Sequence, residues 1–164
     1  MSKSKLKIYK LGIVGAGFMA KEYLKVIKSN KHLKVTCITS RTIKKAKLLA
    51  KIFKIPVVNN DINSLAKKNN IDGIMILVSP ESIFKVTKEA INLDVPFFLE
   101  KPPGLNFRET NILNKLASKK KLLNMVCFNR RHYSIFKKGM EIINKKGQLI
   151  GISIEGHERF WNVE

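Results

Sequence analysis

Two short stretches hold the residues whose types and spacing could do chemistry. Gly15-Ala16-Gly17-Phe18-Met19-Ala20 follows one apolar run, and Glu100-Lys101-Pro102 follows another. Glycines two residues apart, between a strand and a helix, let the backbone turn tightly and approach a pyrophosphate with no Cβ in the way. Ala20, in the place of a third glycine, still allows close packing of helix on strand. The helix that follows would present unpaired N–H groups and the positive end of its dipole to the phosphates. Gly15, Ala16, Gly17, Phe18 and Met19 are therefore expected to bind a dinucleotide. Small residues also close such turns for packing alone; the position between the first strand and the first helix favours the ligand.

The end of the second strand should choose between cofactors. An acidic residue there would bind the adenosine ribose hydroxyls and repel a 2′-phosphate. This chain has Ser40-Arg41-Thr42 instead. Two hydroxyls and a forked guanidinium suit a phosphate, so NADP(H) is favoured over NAD(H). The alternative is a solvated arginine in a helix-capping turn. Glu100 and Lys101 close a buried strand, at the end where open α/β sheets bind ligands. With the glycine turn, they point to a nicotinamide-dependent oxidoreductase.

The elements that would hold these residues follow from the pattern. Strands are predicted over Ile8–Val14, Leu33–Thr39, Ile55–Val58, Gly73–Val78, Val95–Leu99 and Leu122–Phe128. Between them helices are predicted over Lys21–Ser29, Thr42–Phe53, a brief one capped by Asp61, Glu81–Asn92 and Asn106–Lys119, then Ser134–Asn144 after the last strand. Gly73–Val78 is a continuous apolar run, as a strand buried on both faces should be. Alternation of strand and helix predicts an α/β fold, a Rossmann-like doubly wound parallel sheet with helices on both faces. Beyond Gly147, Leu149–Ile154 alternates instead, so the first strand of a different, truncated second domain is expected there. The domains are expected to be residues 6–128, the dinucleotide-binding domain, and 129–164, a crossover helix with the start of a substrate and oligomerisation domain.

The glycine turn, Glu100-Lys101-Pro102 and Asn129-Arg130-Arg131 after the next strand together resemble the Gfo/Idh/MocA oxidoreductases, over about residues 8 to 160. The resemblance implies hydride exchange between a nicotinamide ring and a secondary alcohol, usually of a sugar or cyclitol. Lys101 then matches the family lysine that hydrogen-bonds the reacting hydroxyl and assists proton transfer; a cation lowers the cost of a developing alkoxide. Glu100 would position Lys101 or the nicotinamide ribose, and Pro102 would fix the turn. Ser79 and Pro80, after the fourth strand, would lie at the cofactor, with Asn129 and Arg130 near the cofactor or substrate mouth. Phe84 stands where the family often has histidine. The family's substrate domain cannot fit after Ile154, so the chain alone is expected to be inactive or feeble. A missing domain, a second chain or a homo-oligomer would complete it.

The formal charge of +20 raises nucleic-acid binding as an alternative. The basic residues are mostly lysine, spread over every predicted helix, with few aromatics among them and no nucleic-acid motif. No specific nucleic acid is expected, and a polyanion-binding protein on a Rossmann scaffold stands as the third reading. The second is a non-catalytic nucleotide-binding module or partner subunit. No apolar stretch approaches the ~20 residues of a membrane span. No secretory h-region follows the basic N-terminus, so no membrane partner and a cytoplasmic location are expected. Cys37 and Cys127 are expected as buried, reduced thiols, and His32, His132 and His157 lie too far apart for a metal site, so no metal is expected.

Overall fold

The computed structural model describes residues 7–153 and 155. Strands and helices alternate as β1 (Tyr9–Val14), α1 (Phe18–Lys28), β2 (Leu33–Thr39), α2 (Ile43–Phe53), β3 (Val57–Asn59), α3 (Ile62–Asn69), β4 (Gly73–Ile76), α4 (Pro80–Ile91), β5 (Phe97–Leu99), α5 (Phe107–Lys119) and β6 (Asn124–Val126). The strands form one sheet in the order β3-β2-β1-β4-β5-β6. Every pairing in it is parallel. This is the Rossmann-like arrangement that the alternation predicts.

Side-chain alternation divides the core between the two faces of the sheet. Ile13, Ile38, Met75 and Leu77 pack with Ala20 and Leu24 of α1 and Ala46 and Leu49 of α2. On the opposite face Val14, Cys37, Ile74, Ile76 and Leu99 pack with residues of α3, α4 and α5. All four residues of β4 are buried, which accounts for the continuous apolar run.

The chain divides into two compact units, one ending at Phe128 and the other beginning at Asn129. The second contains a 3-10 turn, Asn129–His132, and α6 (Ser134–Lys146).

Several boundaries differ from the sequence pattern. α1 begins at Phe18, three residues before Lys21, because Gly17 takes the extended N-cap conformation and Phe18 projects into solvent. β5 starts at Phe97, since Pro96 has no N–H for the ladder and contributes only its carbonyl, to Ile74. Residues 149–153 form no strand: Leu149, Ile150 and Ile152 are exposed, and a strand needs a paired neighbour. Ile154 lies outside the described residues, as does His157.

Cys37 and Cys127 are buried and not joined in a disulfide. Burial pushes the Cys37 thiol up to about 11, against a smaller opposing effect of the Thr36 hydroxyl. It stays protonated at neutral pH and behaves as a small core residue. Among the described residues no helix is long and apolar enough to cross a membrane, and no group of three or more His, Cys, Asp or Glu could hold a metal ion.

Candidate functional site

Val14, the last residue of β1, is flanked in register by Thr39 of β2 and Ile76 of β4. The strand order reverses here, with β2 on one side and β4 on the other, which is where open α/β sheets leave a ligand crevice. Gly15 is clamped across it. Its N–H donates to the Thr39 carbonyl at 2.8 Å, and the Leu77 N–H donates to the Val14 carbonyl at 2.7 Å. Its φ is +111°, and a Cβ would stand 2.1 Å from the Leu77 carbonyl oxygen. Only glycine fits there.

Gly17 is different. A Cβ on it would meet nothing within 4 Å, so the turn leaves open space at this point. Gly17 is the N-cap of α1; no side chain caps that helix, and its first turn carries no acidic residue. The first N–H groups of a helix have no partner within it. An open cradle at an uncapped helix start fits the pyrophosphate of a dinucleotide. Ala20 is fully buried against the sheet, as close helix–strand packing requires.

Beyond β2, Ser40 is half-buried, while Arg41 and Thr42 are exposed. The Thr42 N–H donates to the Ser40 hydroxyl at 3.3 Å. Thr42 is the N-cap of α2, but its own side chain makes no capping bond. Past β4, Ser79 is the N-cap of α4 and Pro80 its first residue. The Glu81 carboxyl is held below its ordinary value, first by its own backbone N–H and then by the Ser79 hydroxyl, with desolvation opposing and the Arg41 charge the smallest contribution.

The parallel ladder continues one residue past β5 and β6. The Glu100 N–H donates to the Ile76 carbonyl at 3.0 Å, and the Cys127 N–H to the Leu99 carbonyl at 2.8 Å. Glu100 follows Phe98 by two residues, so both side chains lie on the α1 face. Glu100 is only 7% exposed. Its Oε2 accepts the Lys101 N–H at 3.1 Å, whereas its Oε1 is buried with no hydrogen-bond partner. Tyr23 of α1 stands edge-on to Phe98, ring centroids 5.4 Å apart, and its hydroxyl contacts the Cys127 Sγ. Burial pushes the Tyr23 phenol well above its ordinary value, and Cys127 and the Glu100 charge push it further. Lys101 is exposed, and the Lys101–Pro102 peptide is cis.

Gly15 to Met19, Ser40 to Thr42, Ser79 with Pro80, and Glu100 with Lys101 therefore all follow carboxyl ends of strands in the first unit. Asn129 and Arg130 belong to the second unit, in its 3-10 turn. Phe84 packs half-buried against the core on the α3–α5 face. Three neighbours of the site carry no local sequence signal. Glu81 reads as a first-turn acid, Tyr23 as part of an amphipathic helix, and Cys127 as a strand residue.

Residues 9–128 match the family described as GFO_IDH_MocA, an oxidoreductase family with an NAD-binding Rossmann fold. Over 133 residues the chain is 30% identical to the Bacillus subtilis protein named uncharacterized oxidoreductase YrbE, covering 80% of this chain and 39% of that one. Among solved structures, scyllo-inositol dehydrogenase from Lactobacillus casei with bound NAD(H) and scyllo-inositol superposes with a TM-score of 0.77 at 22% identity, over 85% of this chain and 42% of that chain. A variant 3-ketoreductase from Actinomadura kijaniata, in complex with TDP-benzene and NADP, gives a TM-score of 0.76 at 18% identity, over 85% and 43%. The chain thus spans about two fifths of the length of each of these relatives.

Proposed function

We propose, since this chain belongs to the Gfo/Idh/MocA oxidoreductase family, that it binds a nicotinamide dinucleotide at the β1–β4 crevice and favours NADP(H) over NAD(H). The observation that carries the binding reading is Gly17, an open cradle at the uncapped start of α1. The preference rests on Arg41. Related folds bind either cofactor, NAD(H) in the Lactobacillus structure and NADP in the Actinomadura one. The residues after β2 must then decide, and an exposed guanidinium beside two hydroxyls suits a 2′-phosphate.

When bound, the cofactor would give or take hydride at its nicotinamide ring, with a sugar-like or cyclitol secondary alcohol as the reacting partner. Lys101 would donate a hydrogen bond to the reacting hydroxyl and hold the proton that leaves it. Glu100 fixes the Lys101 backbone through Oε2. Ser79 and Pro80 would border the cofactor, and Asn129 and Arg130 would serve the substrate side. The relatives run to more than twice the stretch they share with this chain. We assign the substrate pocket to such a further region, supplied by a longer chain or by a partner.

The test is a calorimetric titration with NADPH and NADH at 200 mM salt, which screens loose attraction to a chain of charge +20. NADPH should bind about tenfold more tightly. Arg41→Ala should weaken NADPH by about ten- to hundredfold, the worth of a charge-assisted hydrogen bond, and leave NADH within about threefold. Equal losses for both cofactors would remove the Arg41 assignment; no binding of either would remove the function. Lys101→Met should leave both affinities within about threefold, while hydride transfer in the completed enzyme falls by about a hundredfold or more. A loss of binding instead would make Lys101 a cofactor ligand.

A further inference from the structure

We propose that Tyr23 is a positioning residue for Glu100, its hydroxyl being the donor to the buried Glu100 carboxylate that holds the Glu100-Lys101 turn in place. The inference rests on the reading of that turn as the reactive end of the site. Glu100 is 7% exposed, and Oε1 accepts no hydrogen bond from anything around it. A buried carboxylate oxygen without a donor is costly, so such groups either find a donor or take up a proton. Tyr23 is the residue placed to meet that need. Its ring is set by Phe98, two residues before Glu100 on the same face of β5. Its hydroxyl also contacts Cys127, which follows β6 beside Glu100.

The donor inventory gives the direction. A thiol has one weak donor, and a phenol has one donor and acceptor lone pairs. If the Cys127 S–H donates to the Tyr23 oxygen, the phenol proton remains for Glu100. The reverse assignment spends the stronger donor on sulfur, a weak acceptor, and leaves Oε1 with none. Tyr23 of α1 interacts with both Glu100 and Cys127, and Lys101, next in the chain, reaches Glu100 through its backbone N–H. The consequence for the site is a mechanical link. α1 offers its N-terminus to the phosphates and, one turn on, holds the carboxylate beside Lys101, so one helix registers both ends of the cofactor site.

Infrared difference spectroscopy of the antisymmetric carboxylate stretch at neutral pH tests this without any cofactor, with Glu100→Gln identifying the Glu100 band. Tyr23→Phe keeps the ring and removes the hydroxyl. A carboxylate oxygen that loses its donor stretches at a different frequency, so the Glu100 band should shift in Tyr23→Phe. Cys127→Ala should leave the band where it is. Should Tyr23→Phe not fold, the most alkaline of the three tyrosine steps is followed in ultraviolet absorbance instead. In Glu100→Gln it should move to lower pH as the neighbouring negative charge is removed. An unshifted Glu100 band in Tyr23→Phe, or an unshifted tyrosine step in Glu100→Gln, overturns the proposal. If the band shifts but neither NADPH nor NADH binds, Tyr23 still positions Glu100, and it is the cofactor reading that fails.

Discussion

Replacing Gly15 by alanine is expected to cost about 3–5 kcal/mol of folding stability, adding the strain of a positive φ to the penalty of an overpacked methyl. The left-handed φ of +111° disfavours any side chain, and the added Cβ would lie 2.1 Å from the Leu77 oxygen and 2.7 Å from its carbonyl carbon. Relaxation is blocked on both sides. The Gly15 N–H is bonded to Thr39, and Leu77 is bonded back to Val14. A backbone obstacle in the middle of a sheet cannot rotate away as a side chain could. Since domains are stable by only about 5–15 kcal/mol, much of the total is at stake. Urea denaturation of the wild type and the variant reads the difference directly. A loss under about 1 kcal/mol would mean that the turn deforms easily and that Gly15 is dispensable to the fold.

Gly17→Asp should do the opposite to stability and far more to binding. Its Cβ would meet nothing, so no overlap arises. An aspartate N-cap can accept a first-turn N–H and complements the helix dipole, gaining from a few tenths to about 1 kcal/mol over glycine. That carboxylate would stand where the phosphates are proposed to sit. Two like charges about 4 Å apart, at an effective dielectric of about 20, repel by about 4 kcal/mol. NADPH and NADH should both weaken at least a hundredfold while the denaturation midpoint holds or rises. Binding within threefold of wild type would show that the phosphates lie elsewhere, and the functional proposal would lose its central residue.

The two glycines show how far the sequence is legible. Their spacing locates the turn, but nothing in it says that Gly15 is held by packing while Gly17 leaves empty space. That difference arises because Leu77, 62 residues downstream, folds back against one of them. Strand β4 can be read because it is apolar throughout, and β1 and β2 because their buried carboxyl-terminal halves run into Gly15 and Ser40. β5 and β6, with three residues each, blur into their flanks. The Tyr23–Cys127 contact joins residues 104 apart, and no local pattern reports it. Residues 149–153 mislead for a related reason. Alternation states only that a segment could form a strand; pairing decides whether it does. Asn129 and Arg130 are legible only through resemblance, and their roles rest on the functional proposal.

The position of β1 sets a timetable for the ribosome. β1 pairs with β2 on one side and β4 on the other, and Leu11 meets Gly73 only across a long stretch of intervening chain. At about 5–20 residues per second, the β4 partner is made roughly 3–12 seconds after β1. Until then β1 and β2 can pair but remain open along one apolar edge, in a sheet type whose distant contacts form slowly. The strand that ends in the phosphate turn is synthesised first and enclosed late, so the nascent chain passes through an interval when this edge invites the wrong neighbour.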